Sequence, residues 1–312
     1  MVVIGMIATD HPKITIYFYN FTSSFPVPGF ILRELLEQKL NKNIINFDLN
    51  ISYILETRNN IDIKLRIGGS VIKSISLDIN NISNKIDEKA LYIIDKTSGK
   101  IYKAETFSSQ GYLKIFISNK MRSSTLNING IHMHQISRFS PYKDSEKKVQ
   151  YAKIKPGERV LDICTGLGYT AIAALLKGAG QVVTIEINRY ILDLAGANPW
   201  SYYLGSKRIH IINDDALRVL PLFRDGVFDK AIHDPPRFSI AGELYSLDFY
   251  REIYRVLRPG GILFHYTGQP MRNRGRGLGP IVRGIRSRLE KAGFIVLRYV
   301  DDVYGFIAVK PR

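Results

Sequence analysis

Cysteine is nearly absent from this sequence, since Cys164 is the only one among 312 residues. A single cysteine excludes an internal disulfide and any metal site built from several thiolates. Long apolar runs are also missing, and no stretch of about 18 apolar residues could form a membrane-spanning helix. The N-terminus lacks the basic start of a secretory signal, and Asp10 interrupts its apolar residues. We therefore expect a cytoplasmic protein with no membrane partner.

Acidic residues are scarce relative to basic ones. The 28 Asp and Glu residues oppose 44 Lys and Arg residues, which gives a formal net charge of +16. Such an excess favours a polyanionic partner, and nucleic acid is the most common one. A generally basic protein would show the same balance, so charge alone identifies no substrate.

Glycine and alanine are rare in roughly the first 120 residues, where Ile, Asn, Lys and Ser are abundant. A helix is expected at about 29–40, where apolar residues recur with helical spacing. Alternation of apolar and polar residues predicts half-buried strands at 14–19, 47–55, 61–67, 71–79, 90–94 and 101–104. Residues 1–125 are therefore predicted to form a smaller β-rich (α+β) domain, whose role as a substrate-presenting module stays open. We interpret its aromatic residues as core.

From about residue 153, short apolar runs alternate with helical patterns. The predicted strands are 159–163, 181–186, 209–212, 228–233, 261–265, 294–297 and 303–309. Apolar strands separated by helices are typical of a parallel sheet covered on both faces. Residues 126–312 are therefore predicted to form an α/β domain with a Rossmann-like, doubly wound, mostly parallel seven-stranded sheet.

Ligands of such sheets bind at the carboxyl ends of the strands. The first polar cluster there lies at the end of strand 159–163 and contains Asp162, Gly166 and Gly168. The glycines permit a tight turn and close approach of a ligand to the backbone. Asp162 precedes the first glycine, and the third glycine of a dinucleotide motif is absent. A carboxylate beside the loop suits the cationic S-adenosylmethionine (SAM) better than a pyrophosphate.

Carboxylate side chains also lie at the carboxyl ends of the next two predicted strands, 181–186 and 209–212. Glu186 can accept hydrogen bonds from the hydroxyls of a ribose. Asp215, or alternatively Asp214, can accept from the exocyclic amine of an adenine, beside Ala216. Either aspartate can instead be a helix N-cap.

A fourth cluster, Asp234-Pro-Pro-Arg237, follows strand 228–233. The two prolines restrict the loop and favour an extended Asp234. Its side chain and the Pro235 carbonyl can then accept from one amine and orient its lone pair towards a methyl group. The alternative is a rigid loop with a solvated aspartate.

In this order, the clusters resemble the motifs of class I SAM-dependent methyltransferases. The resemblance covers about residues 130–312, and its Asp-Pro-Pro-Arg motif is most similar to a group of predicted archaeal methyltransferases. It implies SAM as the cofactor. The implied cofactor-binding residues are Asp162, Thr165, Gly166, Gly168, Tyr169, Thr170, Glu186, Ile187, Asp214, Asp215, Ala216 and Asp234.

Asp234-Pro-Pro-Arg237 resembles the motif of the amino-methylating branch, in which an aromatic residue follows the prolines and stacks on the target base. Arg237 occupies that place here, and Phe238 comes next. An arginine can stack through its guanidinium plane or bind phosphate. Asp234, Pro235, Arg237 and Phe238 are therefore the expected catalytic residues, although the departure weakens the case for a nucleobase target.

The favoured function is RNA-directed N-methylation, with tRNA as the preferred RNA. The basic segment after strand 261–265 is expected to contact phosphates. The expected substrate-binding residues are His265, Tyr266, Arg272, Arg274 and Arg276. His233 and His265 can accept a proton, although a structural role is the simpler interpretation.

Three alternatives remain open: a polyamine synthase that transfers an aminopropyl group, a protein methyltransferase, and a non-catalytic RNA-binding protein. No metal is expected, because the histidine pair at 132 and 134 has no further ligand nearby.

Overall fold

The computed structural model describes residues 6, 15–37, 44–57, 61–78, 82, 85–268 and 278–312. It divides into two compact units. The first comprises Met1–Phe18, Ser145–Arg189 and Ser206–Arg312, and the second comprises Tyr19–Asp144 and Tyr190–Gly205. The predicted domain boundary, between residues 125 and 126, falls within a strand of the second unit. Among the described residues, no helix is long and apolar enough to cross a membrane.

The first unit is an α/β structure built on one sheet. Helices α2 and α4 each cross the division between the two units. The strands are β1 (Ile16–Tyr17), β13 (Arg159–Ile163), β14 (Gln181–Ile185), β15 (Ile209–Ile212), β16 (Phe228–His233), β17 (Leu257–Tyr266), β18 (Ile295–Val300) and β19 (Gly305–Val309). The helices are α2 (Pro141–Ala152), α3 (Tyr169–Leu176), α4 (Arg189–Ala197), α5 (Ala216–Val219), α6 (Leu247–Val256) and α7 (Pro280–Lys291).

The sheet has eight strands in the order β1-β15-β14-β13-β16-β17-β19-β18. Strands β13 to β17 are parallel, whereas β19 is antiparallel to both β17 and β18. All seven predicted strands are present, which confirms the predicted Rossmann-like sheet. The eighth is β1, which pairs with the edge strand β15. The strand order reverses between β13 and β16, and a ligand crevice is expected at this switch point.

Burial explains why these segments form central strands. Residues 160–163 of β13 are all fully buried, as expected for a strand covered on both faces. Helix α6 packs Phe249, Tyr250 and Ile253 into the same core as Phe228 of β16. This packed core fixes the strand ends from which the polar side chains of the site emerge.

The second unit is β-rich, as predicted. Its elements are β2 (Phe25–Pro28), α1 (Gly29–Leu36), β3 (Ile44–Asn46), β4 (Ile51–Thr57), β5 (Ile61–Ile67), β6 (Ser70–Leu77), β7 (Leu91–Ile94), β8 (Ile101–Lys103), β9 (Glu105–Ser108), β10 (Gly111–Phe116), β11 (Thr125–Ile128) and β12 (Ile131–His132). They form antiparallel sheets in the orders β3-β4-β5-β6, β2-β7-β8 and β12-β11-β10-β9. The predicted alternation is clearest in β5, where buried and half-buried residues alternate throughout.

The two histidines of the second unit, His132 and His134, have polar partners. Nδ1 of His132 lies 3.2 Å from Nδ2 of Asn127, and Nδ1 of His134 lies 2.9 Å from Oγ1 of Thr125. Over the described ranges, no group of three or more His, Cys, Asp or Glu side chains could hold a metal ion. These contacts support a structural role for both histidines.

Candidate active site

Asp162, near the end of β13, is fully buried. Its Oδ2 accepts a hydrogen bond of 2.7 Å from the Thr184 hydroxyl on the neighbouring strand β14. Within the part of the chain that the structure describes, Oδ1 has no hydrogen-bond partner. Burial raises the pKa of Asp162 to about 7; hydrogen bonds with Thr184 and Thr170 oppose this shift, and the charges of Asp234 and Glu186 add to it. A bound cation would favour the ionised form of this carboxyl group.

The glycine loop connects Asp162 to helix α3. Gly166 and Gly168 have φ angles of +53° and +79°, which disfavour residues with a side chain. Apart from its two chain neighbours, no described residue has an atom within 4 Å of the position that a Cβ of Gly166 would occupy. Thr165 is buried against Thr184, with 2.6 Å between the hydroxyl oxygens. The loop therefore leaves open space beside its backbone.

Tyr169 and Thr170 are the first two residues of α3, and both are buried. Tyr169 is among the largest fully buried side chains of the described chain. Burial places its ring in the core, so the structure supports a packing role for it.

Glu186 follows β14 and lies next to the glycine loop. Its Oε2 accepts from the backbone N–H of Gly166 at 2.9 Å, and its Oε1 accepts from that of Asn188 at 3.0 Å. Burial raises the pKa of Glu186, while these backbone hydrogen bonds lower it. Asn213 donates to the Glu186 carbonyl at 2.8 Å and so holds this strand end. The adjacent Ile187 side chain is 58% exposed.

Asp215 is the N-cap of α5, since its side chain accepts from the backbone N–H of Leu217 at 2.9 Å. Asp214 accepts from the N–H of Asp215 and forms an ion pair of 3.4 Å with Arg218. Asp215 is therefore an N-cap through Oδ1, and its predicted role at the cofactor stays a prediction. Leu217 is an exposed apolar side chain, like Ile187 at the end of the neighbouring strand.

Asp234 follows β16, and its carboxylate has a partner that the sequence did not reveal. Lys148 of α2 donates to Oδ2 of Asp234 at 2.7 Å. The Lys148 side chain is only 2% exposed, and its Nζ lies 4.3 Å from the centroid of the Tyr266 ring. Asp234 and Tyr266 are thus connected by one buried ammonium group.

The loop after Asp234 is fixed by hydrogen bonds. The Tyr245 hydroxyl donates to the Pro236 carbonyl at 2.7 Å, and the Arg237 carbonyl accepts from the N–H of Ile240. Arg237 is exposed. Phe238 is 42% exposed, and its ring meets Tyr245 edge-on with 5.4 Å between centroids. The Tyr245 hydroxyl therefore holds the loop at the Pro236 carbonyl, and Pro235 is buried.

His233 and His265 are fully buried and stacked, with 4.5 Å between ring centroids. The Tyr250 hydroxyl is 2.7 Å from Nε2 of His265, and Nδ1 of His265 is 3.4 Å from the His233 carbonyl. Burial lowers the pKa of His265 to about 3 and that of His233 well below its usual value. Both rings are therefore neutral near pH 7, which supports the structural interpretation.

Sequence reasoning missed Lys148, although its position carried a signal. The buried residues Tyr142, Ser145, Val149 and Ala152 recur with helical spacing in α2, and Lys148 belongs to the same inward face. A lysine on a buried helix face is uncommon unless it is paired. Arg272, Arg274 and Arg276, which were predicted to contact the substrate, lie outside the described residues.

The chain is similar to known methyltransferases. Residues 160–261 match the family model of a methyltransferase domain. An uncharacterized protein of the archaeon Methanocaldococcus jannaschii is 43% identical over 283 residues, which cover 90% of this chain and 94% of that protein. The chain belongs to the family of that archaeal protein. It is a class I SAM-dependent methyltransferase, and its cofactor is SAM.

More distant relatives match only in part. The ribosomal RNA large subunit methyltransferase I of Photobacterium profundum is 27% identical over 160 residues, which cover 49% of this chain and 40% of that protein. The spermidine synthase of Thermotoga maritima has a similar fold, with a TM-score of 0.53 and 18% identity over 70% of this chain and 78% of its own. At that identity the similarity concerns the fold alone.

Proposed function

We propose that this enzyme transfers the methyl group of SAM to a nitrogen atom of RNA. The observation that carries the proposal is Asp234. Asp234 follows β16 at the switch point of the sheet, and Pro235 and a partly exposed Phe238 come directly after it in the chain. Two hydrogen-bond acceptors and an aromatic ring are suited to bind a flat molecule with an N–H group.

The residues at the carboxyl ends of β13 to β15 fit SAM. The unpartnered Oδ1 of Asp162 would accept from the ammonium group, and Glu186 from the ribose hydroxyls. Exposed Ile187 and Leu217 offer apolar surface to an adenine ring, whose amine would donate to Asp215. Asp214 is the less suitable choice, because Arg218 already pairs with it.

When bound, SAM supplies an activated methyl group to a nucleophile aligned with its sulfur. The chain's own task is then to orient the acceptor. Asp234 and the Pro235 carbonyl would accept its N–H bonds, while Phe238 would hold its ring. Positive charge develops on the nitrogen during transfer, and it strengthens the N–H hydrogen bonds that Asp234 and the Pro235 carbonyl would accept. The buried, neutral histidines need take no part, since water can remove the proton afterwards.

The state of Cys164 favours nitrogen over carbon as the target. Carbon methylation through a covalent intermediate requires a thiolate nucleophile. Burial raises the pKa of the Cys164 thiol well above its usual value, and the charges of nearby acids raise it further. A thiol in that state is a poor nucleophile near pH 7, and the sequence contains no second cysteine.

Charge and relatives support RNA as the acceptor. The net charge of +16 suits a polyanion, and the partial relatives include proteins named ribosomal RNA methyltransferases. The choice between tRNA and ribosomal RNA is left to experiment. Arg272, Arg274 and Arg276 follow β17, whose end carries Tyr266, and we propose that they bind RNA phosphates.

The test is incubation with methyl-labelled SAM and a cell extract freed of endogenous cofactor. Label would be measured in tRNA, ribosomal RNA, protein and small molecules. We expect label in RNA, recovered as an N-methylated nucleoside, and its loss in Asp234→Ala. Asp248→Ala is the matched control, because Asp248 is exposed on α6. Label confined to protein or small molecules would contradict the proposal.

A further inference from the structure

The Lys148–Asp234 ion pair joins a buried ammonium group to a carboxylate that is 16% exposed, at the site that we propose for the acceptor. Lys148 is 2% exposed, and its Nζ donates to Oδ2 of Asp234 at 2.7 Å. Burying two charges is costly, so a buried pair is weak support for stability alone. Because the pair includes Asp234, the proposed acceptor-binding residue, we look for its role in the selection of the substrate.

We propose that Lys148 makes the acceptor site selective for an uncharged nitrogen. The inference rests on the proposed function, because it takes Asp234 as the acceptor-binding residue. A neutral N–H can donate to Oδ1 of Asp234 while Lys148 holds Oδ2. A protonated amine would instead lie within a few ångströms of the Lys148 ammonium group, at a carboxylate whose charge is already balanced.

The charged side chains around the site also differ between the proposed cofactor side and the proposed acceptor side. Asp162 and Glu186 stand at the neighbouring strand ends, where they face the cationic cofactor in the proposed arrangement. Lys148 balances the acid on the acceptor side. The acceptor side also carries the guanidinium of Arg288, 6.0 Å from the Phe238 ring centroid, so a cationic acceptor gains no net attraction there.

The aromatic residues point to the same substrate class. The ammonium group of Lys148 lies over the Tyr266 ring, 4.3 Å from its centroid, so one face of that ring is occupied. The guanidinium of Arg288 lies 6.0 Å from the centroid of the Phe238 ring, but the Phe238 side chain is 42% exposed and can stack on a planar acceptor. The favoured substrate is therefore a flat molecule with an uncharged amine or amide nitrogen, whereas aliphatic polyamines and lysine side chains are excluded by their charge.

Putrescine is a suitable probe for selection by charge. Its binding would be measured by calorimetry on the full-length protein saturated with S-adenosylhomocysteine. The variants are Lys148→Met, which removes the charge, and Lys148→Arg, which retains it. We expect no measurable putrescine binding to the wild type or to Lys148→Arg. Lys148→Met should bind putrescine at least about tenfold more tightly than the weakest affinity that the calorimeter can detect. Unchanged affinity for S-adenosylhomocysteine would show that the cofactor side is intact.

A second variant covers the case in which Lys148→Met fails to fold. Lys148→Gln also removes the charge but retains a donor to Asp234, and it should likewise gain putrescine binding. The proposal would be overturned if putrescine bound to the wild type as tightly as to the variants. It would also be overturned if the wild type methylated putrescine. So would folded neutral variants that still exclude putrescine. The measurement uses no RNA, so failure of RNA methylation would count against the proposed function alone.

Discussion

The carboxylate of Glu186 accepts a hydrogen bond of 2.9 Å from the backbone N–H of Gly166. This bond joins the end of β14 to the glycine loop after β13. The two parts that we assign to the cofactor's ribose and to its amino-acid portion are therefore positioned together. A change at either residue should affect the shape of the whole cofactor site.

Glu186→Gln should weaken SAM binding by about tenfold to a hundredfold. The amide can accept through only one of its two atoms, so a hydrogen bond to a charged acceptor, typically about 1.5 to 3 kcal/mol, is lost. Isothermal titration calorimetry would measure the change. Glu290→Gln is the matched control, since Glu290 is exposed on α7 and pairs with Arg286. Equal affinities for both variants would argue against the role of Glu186.

SAM affinity should rise with pH between about 6 and 8. The pKa of Asp162 is about 7 in the protein without ligand, and only the ionised carboxylate attracts the ammonium group of SAM. Binding should therefore release a proton below pH 7, with affinity rising by up to about tenfold per pH unit and levelling above it. Calorimetry in buffers of different ionisation enthalpy would count the protons. Asp162→Asn should bind more weakly and without this proton release.

The same pKa has an effect on stability with a definite sign. An acid whose folded pKa is raised retains a proton that the unfolded chain has already released. Asp162 therefore stabilises the fold least at high pH, and its contribution falls as pH rises from about 4 to about 7. Without ligand, Asp162→Asn should gain stability relative to the wild type over this range in urea unfolding. A constant difference between the two proteins would show that Asp162 ionises normally.

Tyr250→Phe should destabilise the protein by about 1 to 3 kcal/mol. The substitution removes the hydroxyl that donates to Nε2 of His265 and leaves a buried acceptor without a partner. Urea unfolding followed by circular dichroism would measure the loss. Tyr102→Phe, at an exposed position on β8, should have little effect. A cost similar to that of the control would mean that another group takes the place of the hydroxyl.

The sequence predicted the catalytic fold well, because its signals are local. Each strand from β13 to β19 is a short apolar run, and each is followed or preceded by helical spacing. The polar residues at the strand ends were recognisable for the same reason. Parallel strands all deliver their carboxyl ends to one edge of the sheet, so position along the chain predicts position in space.

The missed features depend on contacts between distant segments. Lys148 and Asp234 are 86 residues apart, and nothing local in α2 indicates which strand end its buried face meets. The segment at Ile16–Tyr17 was read as part of the N-terminal domain, whereas β1 completes the large sheet by pairing with β15. Edge pairing depends on which edge is available, and that is a property of the folded sheet.

Phe238→Ala should raise the KM for RNA by about fivefold to a hundredfold, with SAM affinity unchanged. Stacking of a base on an aromatic ring contributes about 1 to 3 kcal/mol, and Phe238 is the exposed ring of the Asp234 loop. Phe238→Tyr should retain most of the activity, because it keeps the ring.

Ile240→Ala is the matched control for Phe238→Ala. Ile240 is 57% exposed and lies two residues further along, but it has no aromatic ring. Steady-state kinetics with methyl-labelled SAM and the RNA that accepts the label would separate KM from kcat. If both alanine variants changed KM equally, the effect would belong to the loop as a whole, and Phe238 would not be the stacking residue.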